Sequence, residues 1–94
     1  MIETVINGIS LTLETSPALF SPNAVDAGTL AMLSFAEFAP DDKILDLGCG
    51  SGVVGILAAR QIGADRVVLC DLSEEAVRIA RLNAARNNVP DVQV

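Results

Sequence analysis

The chain has 94 residues, of which 51% are apolar and 19% are charged, and its formal net charge is −6. A domain usually holds ~100–200 residues, so the length predicts one domain at most. This composition excludes a disordered chain. The apolar runs are shorter than the ~18 residues of a membrane span, and the amino terminus lacks the basic flank of a signal peptide.

Charge and cysteine content narrow the possible functions and the cellular compartment. The first fifty residues carry seven acids and one lysine, whereas the remainder carries five acids and five arginines without a basic cluster. These residues alone are therefore expected to bind nucleic acid poorly. With no histidine, no C-x-x-C pattern and only Cys49 and Cys70, we expect no metal site and a reducing, cytoplasmic location.

The amino-terminal part predicts a β-hairpin, a loop and a helix. Asn7-Gly8 between apolar residues is a strong hairpin signal, and the strand over residues 9–13 alternates apolar and polar side chains. Prolines mark residues 15–23 as a loop. Residues 24–38 have helical spacing and end before a proline.

The remainder alternates strands and helices. A short apolar strand over residues 43–47 leads through a glycine-rich turn to a helix over residues 53–62, which is apolar on nearly every side and should therefore be covered. Gly63 is suited to end this helix. A second buried strand follows over residues 66–70.

The last helix has clear start and stop signals. Ser73 is the predicted N-cap, Glu74 and Glu75 lie in the first turn, and residues 76–86 continue the helix. Glu74 and Arg78 have the spacing of an ion pair. Asn87-Asn88 is suited to end the helix, and residues 92–94 begin a third strand.

Apolar strands separated by helices favour parallel pairing with right-handed crossovers. The fold is predicted to be α/β, namely the amino-terminal half of a doubly wound, mostly parallel sheet preceded by a β-hairpin and a helix. We interpret residues 1–94 as a single partial domain. Residues 1–40 form its amino-terminal piece, and residues 41–94 form the first strand-helix-strand-helix-strand half.

The glycine-rich turn after the first parallel strand has the features of a ligand loop. Glycines let the backbone approach a ligand closely, and a helix amino terminus offers N–H groups and partial positive charge. Gly50-x-Gly52-x-x-Gly55 satisfies the dinucleotide pattern, and Asp71 lies 21 residues after Gly50. A NAD-dependent oxidoreductase is therefore a remote alternative, and a purely structural turn is another.

Asp46 argues against a dinucleotide, because a carboxylate beside a pyrophosphate is repulsive in a poorly screened cleft. S-adenosylmethionine has no phosphate, and its ammonium can face Asp46. The loop N–H groups can hold its carboxylate, and Asp71 can accept both ribose hydroxyls. Each acid also has an alternative role that is structural only. Asp46 can be a buried acid that caps backbone N–H groups, and Asp71 can cap the end of its strand.

The segment from Asp46 to Gly52 (sequence DLGCGSG), followed by Asp71-Leu72-Ser73, resembles the first two motifs of class I S-adenosylmethionine-dependent methyltransferases. Phe20-Ser21-Pro22 and Asp26-x-Gly28-Thr29 resemble the "methyltransferase small" family. That family includes ribosomal RNA guanine-N2 and transfer RNA adenine methyltransferases and relatives that modify glutamine in release factors. Gly63-Ala64-x-x-Val67 and Asn83-Ala84-x-x-Asn87 also resemble methyltransferases of a ribosomal protein.

The resemblance implies a Rossmann-like sheet, S-adenosyl-L-methionine as cofactor, and a full-length enzyme that methylates a nitrogen on RNA or on a ribosomal or translation protein. It implies that residues 20–29 close over the cofactor, with Phe20 near it and Leu72 on the adenine. Two of these residues have other interpretations. Phe20 can be an ordinary core residue, and Cys49 can be a small residue that fills space. The expected cofactor-binding residues are Phe20, Asp46, Gly48, Cys49, Gly50, Ser51, Gly52, Asp71 and Leu72.

No catalytic residue is predicted, because the Asn/Asp-Pro-Pro-Tyr/Phe motif that holds the target nitrogen in such enzymes does not occur in these residues. The chain alone is expected to be an inactive fragment. A non-catalytic module that associates with itself or with a partner is the main alternative. Both sheet faces are expected to lack cover, with the contact at residues 92–94 or the neighbouring strand.

Overall fold

The computed structural model describes residues 2–14 and 38–94. It contains an antiparallel hairpin followed by alternating strands and helices, with a 3-10 turn at Ala64–Arg66. The strands are β1 (Ile2–Ile6), β2 (Ile9–Leu13), β3 (Ile44–Leu47) and β4 (Val67–Cys70), and the helices are α1 (Val53–Ile62) and α2 (Glu74–Arg86). The predicted loop at residues 15–23 and the predicted helix at residues 24–38, apart from Phe38, lie outside the described residues.

The predicted hairpin is confirmed. β1 and β2 pair in antiparallel register from Ile2 opposite Leu13 to Ile6 opposite Ile9. Asn7 and Gly8 have φ values of 52° and 79°, and positive φ at both central residues is what a type I′ turn requires. The alternation of β2 buries Leu11 and Leu13 against the rest of the molecule.

The two central strands are parallel, as predicted. β3 and β4 pair from Ile44 opposite Val67 to Leu47 opposite Cys70. The predicted third strand is present as one parallel bridge between Val68 and Gln93. The described residues therefore form a small α/β fold, and the full doubly wound sheet stays a prediction.

A single main core joins the hairpin, the sheet and both helices. α1 has the predicted bounds, and its residues from Gly55 to Ala59 are buried, as expected of a helix that is apolar all round. Leu69 of β4 is fully buried in this core, as is Leu57 of α1. Because every layer contributes to one core, hairpin, sheet and helices stabilise one another.

The two faces of the β3–β4 sheet differ in cover, which corrects the prediction that both lack it. Val67 and Leu69 are buried in the core beneath α1, on one face. Successive side chains of a strand point to opposite faces, and on the other face Leu45 and Leu47 are 64% and 78% exposed. One face is therefore covered and the other is not.

The ends of α2 follow the predicted signals, but one ion pair does not. The Ser73 side chain accepts a hydrogen bond from the Ala76 N–H at 3.2 Å, and Asn88 takes a left-handed φ of 65° just beyond the helix. Arg78 pairs with Glu75 at 2.6 Å rather than with the predicted Glu74, because residues three apart are also neighbours on a helix.

No helix among the described residues combines the length and the apolar character needed to cross a membrane.

Candidate functional site

The candidate site lies at the edge where the carboxyl ends of β3 and β4 meet. Asp46 is the second-last residue of β3, and Asp71 directly follows β4. Because the strands are parallel, both acids come to the same edge, where ligands bind in open α/β sheets. The glycine-rich loop, residues 48–52, connects β3 to α1 along this edge.

The glycine-rich loop is shaped by three positive φ angles and by bonds to its surroundings. Gly48, Gly50 and Gly52 have φ values of 71°, 55° and 92°. The N–H groups of Gly48 and Cys49 both donate to the Cys70 carbonyl at 2.9 Å, which fastens the loop to the end of β4. A Cβ at Gly48 or Gly50 would meet no atom within 4 Å, so a ligand can approach this backbone closely.

The carboxylate of Asp46 is half-buried and is fixed to the first turn of α1. Its Oδ2 accepts a hydrogen bond from the Gly55 N–H at 3.0 Å. Burial raises the pKa of Asp46 above 3.8, the Gly55 bond lowers it, and the nearby Asp71 adds a smaller upward contribution. A cation bound at this carboxylate would relieve the cost of its burial.

Asp71 connects the glycine-rich loop to the start of α2. Its Oδ2 accepts from the Gly50 N–H at 3.0 Å, and its Oδ1 accepts from the Ser73 N–H at 2.9 Å. These bonds, that of Ser73 first, hold the pKa of Asp71 below its usual value. The carboxylate is therefore ionised at neutral pH, and each oxygen retains a lone pair for a further donor such as a hydroxyl.

An apolar cleft of about 470 Å³ opens beside these acids, lined by Leu47, Gly48, Cys70, Asp71 and Leu72. Leu72 is fully exposed at its rim. An adjoining hollow of about 380 Å³ shares Asp71 and Leu72 and is bordered by polar side chains of α2. Apolar walls with a few convergent polar groups are typical of small-molecule sites.

Cys49 is part of the glycine-rich loop, and its side chain is buried, with the residue 8% exposed. Burial, followed by the charge of Asp46, raises the pKa of its thiol to about 12. The thiol is protonated at neutral pH, so it is a poor nucleophile. Among residues 2–14 and 38–94, no group of three or more acids or cysteines is placed to hold a metal ion.

The structure brings together eight of the nine expected cofactor-binding residues, and the ninth, Phe20, lies outside the described residues. Two further residues support the loop and were missed. Gly55 supplies the N–H that holds Asp46, and it is the third glycine of a pattern that the sequence did display. Asn83 donates to the Ser51 carbonyl at 2.8 Å. The pattern Asn83-Ala84-x-x-Asn87 singled this residue out, but it did not indicate the contact with the loop.

The chain is similar to known proteins over most of its length. A family model described as "Methyltransferase small domain" matches residues 10–94. Two proteins named "Ribosomal RNA small subunit methyltransferase C", from Escherichia coli strains IAI39 and CFT073, are each 39% identical to the chain over 79 residues. The match covers 84% of the chain and 23% of each relative, so the chain spans about a quarter of their length. On this evidence the chain belongs to the methyltransferase small domain family.

Proposed function

We propose that this chain is the S-adenosyl-L-methionine-binding portion of a methyltransferase that methylates a nitrogen on RNA or on a ribosomal or translation protein. The observation that carries the proposal is the pair of acids, Asp46 and Asp71, at one edge of the sheet, each bonded to the glycine-rich loop or the helix that follows it. When bound, the cofactor supplies a methyl group activated by its sulfonium.

The residues of the site suit the chemical groups of this cofactor. Asp46 is a half-buried carboxylate suited to the ammonium, and Asp71 is an ionised acceptor suited to the ribose hydroxyls. The apolar cleft beside Leu72 suits the adenine. Val53 and Val54 open α1. The first N–H groups of a helix have no partner within it, so these groups suit the carboxylate.

A dinucleotide fits the same edge less well. Its pyrophosphate would lie against the glycine-rich loop, next to the half-buried carboxylate of Asp46. Burial already disfavours the charged form of this acid, and a second negative group would raise that cost. The charge at Asp46 therefore favours S-adenosyl-L-methionine over NAD.

The substrate is proposed from the relatives and from the earlier resemblance. Relatives that match most of the chain are named as methyltransferases of small-subunit ribosomal RNA, which favours RNA over protein. We assign no catalytic residue to this chain, and we propose that the groups that hold the target nitrogen belong to a longer protein. Phe20 remains a proposed cofactor contact. We propose that residues 1–40 comprise the amino-terminal hairpin and a helix that covers the cofactor, and that residues 41–94 form the first half of the cofactor-binding fold.

The cofactor assignment is tested by titrating S-adenosylhomocysteine and NAD into the chain by calorimetry. Asp46→Asn and Asp71→Asn should each weaken S-adenosylhomocysteine binding by about tenfold or more, the equivalent of about 1.4 kcal/mol. Asp91→Asn is the matched control, because this exposed acid lies in the turn after α2. Equal affinity in all four proteins, or tighter binding of NAD, would contradict the assignment.

We also propose that the isolated chain associates with itself and that its location is cytoplasmic. Leu45 and Leu47 expose an apolar strip on the uncovered face of β3. Exposed apolar patches favour association. Cys49 and Cys70 are both free thiols, which suits a reducing compartment.

A further inference from the structure

Two buried amides lie where α2 meets the hairpin. Asn83 and Asn87 are 0% and 3% exposed. Asn83 lies in α2 and Asn87 is the residue that caps its end, four positions later, so the two side chains lie on the same side of the helix. Burying an amide is costly unless its donors and acceptors find partners. The hydrogen-bond partners of these two side chains therefore indicate their structural role.

Each amide hydrogen-bonds to both the N–H and the carbonyl of one residue on the hairpin, as the backbone of a neighbouring strand would. Asn87 binds Thr12 of β2, and Asn83 binds Glu14, the residue after β2. Asn87 accepts from the Thr12 N–H at 2.9 Å and donates to the Thr12 carbonyl at 2.8 Å. Asn83 accepts from the Glu14 N–H at 2.6 Å and donates to the Glu14 carbonyl at 3.0 Å. The hairpin edge is thereby docked on α2.

Asn83 makes one contact that Asn87 does not. Its Nδ2 also donates to the Ser51 carbonyl at 2.8 Å. The same peptide unit carries the Gly52 N–H, which donates to the Cys49 carbonyl at 2.8 Å. The peptide between Ser51 and Gly52 is therefore held at both its carbonyl and its N–H.

The glycine-rich loop needs such outside bonds to keep its shape. Gly50 and Gly52, on either side of Ser51, have positive φ values of 55° and 92°. Glycine reaches both signs of φ at little cost, so the peptide between them can rotate unless other groups hold it. Asp71 fixes the Gly50 N–H, and Asn83 fixes the Ser51 carbonyl one residue later.

We propose that Asn83 is a positioning residue for the cofactor loop. It holds the Ser51–Gly52 peptide in one orientation and couples that orientation to the docking of the hairpin through Glu14. The proposal rests on the proposed function in that the loop binds S-adenosyl-L-methionine. The effect of Asn83 on the loop itself does not require the ligand. The positioning role of Asn83 and the binding of S-adenosyl-L-methionine can therefore be tested separately.

The test compares the same substitution at Asn83 of α2 and at Asn87, the residue that caps this helix. Asn83→Asp keeps the shape of the side chain but removes both Nδ2–H donors, and Asn87→Asp does the same one turn later without touching the loop. Each variant is first checked to be folded by circular dichroism. Asn83→Asp should weaken S-adenosylhomocysteine binding by about tenfold and Asn87→Asp by less than about twofold, given about 1.4 kcal/mol per tenfold.

A second measurement reads the loop without any ligand. Hydrogen exchange of the Gly52 amide should be faster in Asn83→Asp than in the wild type, and it should be unchanged in Asn87→Asp apart from any change in global stability. Similar Gly52 exchange in the two variants would overturn the proposal. So would an equal loss of affinity in both, which is the result of a merely structural role.

A third measurement covers the case in which Asn83→Asp does not fold. In the wild-type chain, NMR should detect a scalar coupling across the hydrogen bond from Asn83 Nδ2 to the Ser51 carbonyl, and its absence would overturn the proposal. A wild-type chain that does not bind S-adenosylhomocysteine would contradict the proposed function instead. Gly52 exchange would then decide the role of Asn83.

Discussion

Asp46 and Asp71 occupy similar positions at the ends of parallel strands, yet their surroundings shift their pKa values in opposite directions. Burial raises the pKa of Asp46, whereas the N–H groups of Ser73 and Gly50 lower that of Asp71. The sequence predicted both acids at one ligand site, because Asp46 lies near the end of one apolar strand and Asp71 directly follows the other. It did not predict the opposite shifts, since these depend on N–H groups contributed by other segments.

The thiol of Cys49 should make the stability of the chain fall in alkaline solution. Its pKa is raised from 9.0 to about 12, so the folded state keeps a proton that the unfolded state loses. The free energy of unfolding is therefore expected to decrease as the pH rises from about 9 towards 12, the window between the two pKa values. Circular dichroism across this range measures the unfolding.

Ultraviolet absorbance can follow the thiolate directly, because the chain contains no tyrosine or tryptophan. In Cys70→Ser, the remaining thiol should ionise near pH 12 or on unfolding, whichever comes first. Cys49→Ser is the matched variant and should lack this late step. Ionisation of Cys70→Ser near pH 9, with circular dichroism still native, would contradict the buried environment.

At the scale of elements, α1 packs directly on β4 because Gly55 has no side chain. A Cβ built at Gly55 would lie 2.5 Å from Cγ of Leu69, a distance at which atoms overlap. The missing side chain brings the helix close enough for the Gly55 N–H to reach Asp46 on the neighbouring strand. Close packing and the geometry of the site thus have the same origin.

Gly55→Ala should therefore destabilise the chain, although alanine favours helix more than glycine does. The overlap with Leu69 should lower the free energy of unfolding by about 1–3 kcal/mol, the usual cost of overpacking. Urea denaturation measures the change. Combining Gly55→Ala with Leu69→Val should cost less than the sum of the two single changes, and a more stable Gly55→Ala chain would show that the helix can move away.

Hairpin, strands and helices were predictable because turn residues, caps and apolar spacing are local signals. Asn7-Gly8 and Ser73 act as their residue types suggest. The docking of the hairpin was not predictable, because Asn83 and Glu14 are 69 residues apart. The sequence also did not predict that Arg78 pairs with Glu75 instead of Glu74, because residues three apart and four apart are both neighbours on a helix.

At the scale of the whole molecule, the structure changes where self-association is expected. Val92 is buried and Gln93 is bridged to Val68, so the carboxyl-terminal strand offers little apolar surface. Leu45 and Leu47 of β3 are the more exposed side chains. The uncovered face of β3, rather than residues 92–94, is therefore the proposed contact.

Leu45→Lys should shift the isolated chain towards the monomer, because a charge on the contact face would have to be buried on association. Light scattering at increasing protein concentration measures the mass. Val5→Lys is the matched control, since Val5 is 66% exposed on the hairpin. A wild-type chain that stays monomeric, or equal association in both variants, would contradict a contact through β3.

The amides of Asn83 and Asn87 also affect when the hairpin can become part of the fold. β1 and β2 are synthesised before α2, and their partners Asn83 and Asn87 follow Glu14 and Thr12 by 69 and 75 residues. Contacts of such long separation form slowly and late. During synthesis from the amino terminus, the hairpin therefore cannot complete its hydrogen bonds to Asn83 and Asn87 until α2 has emerged.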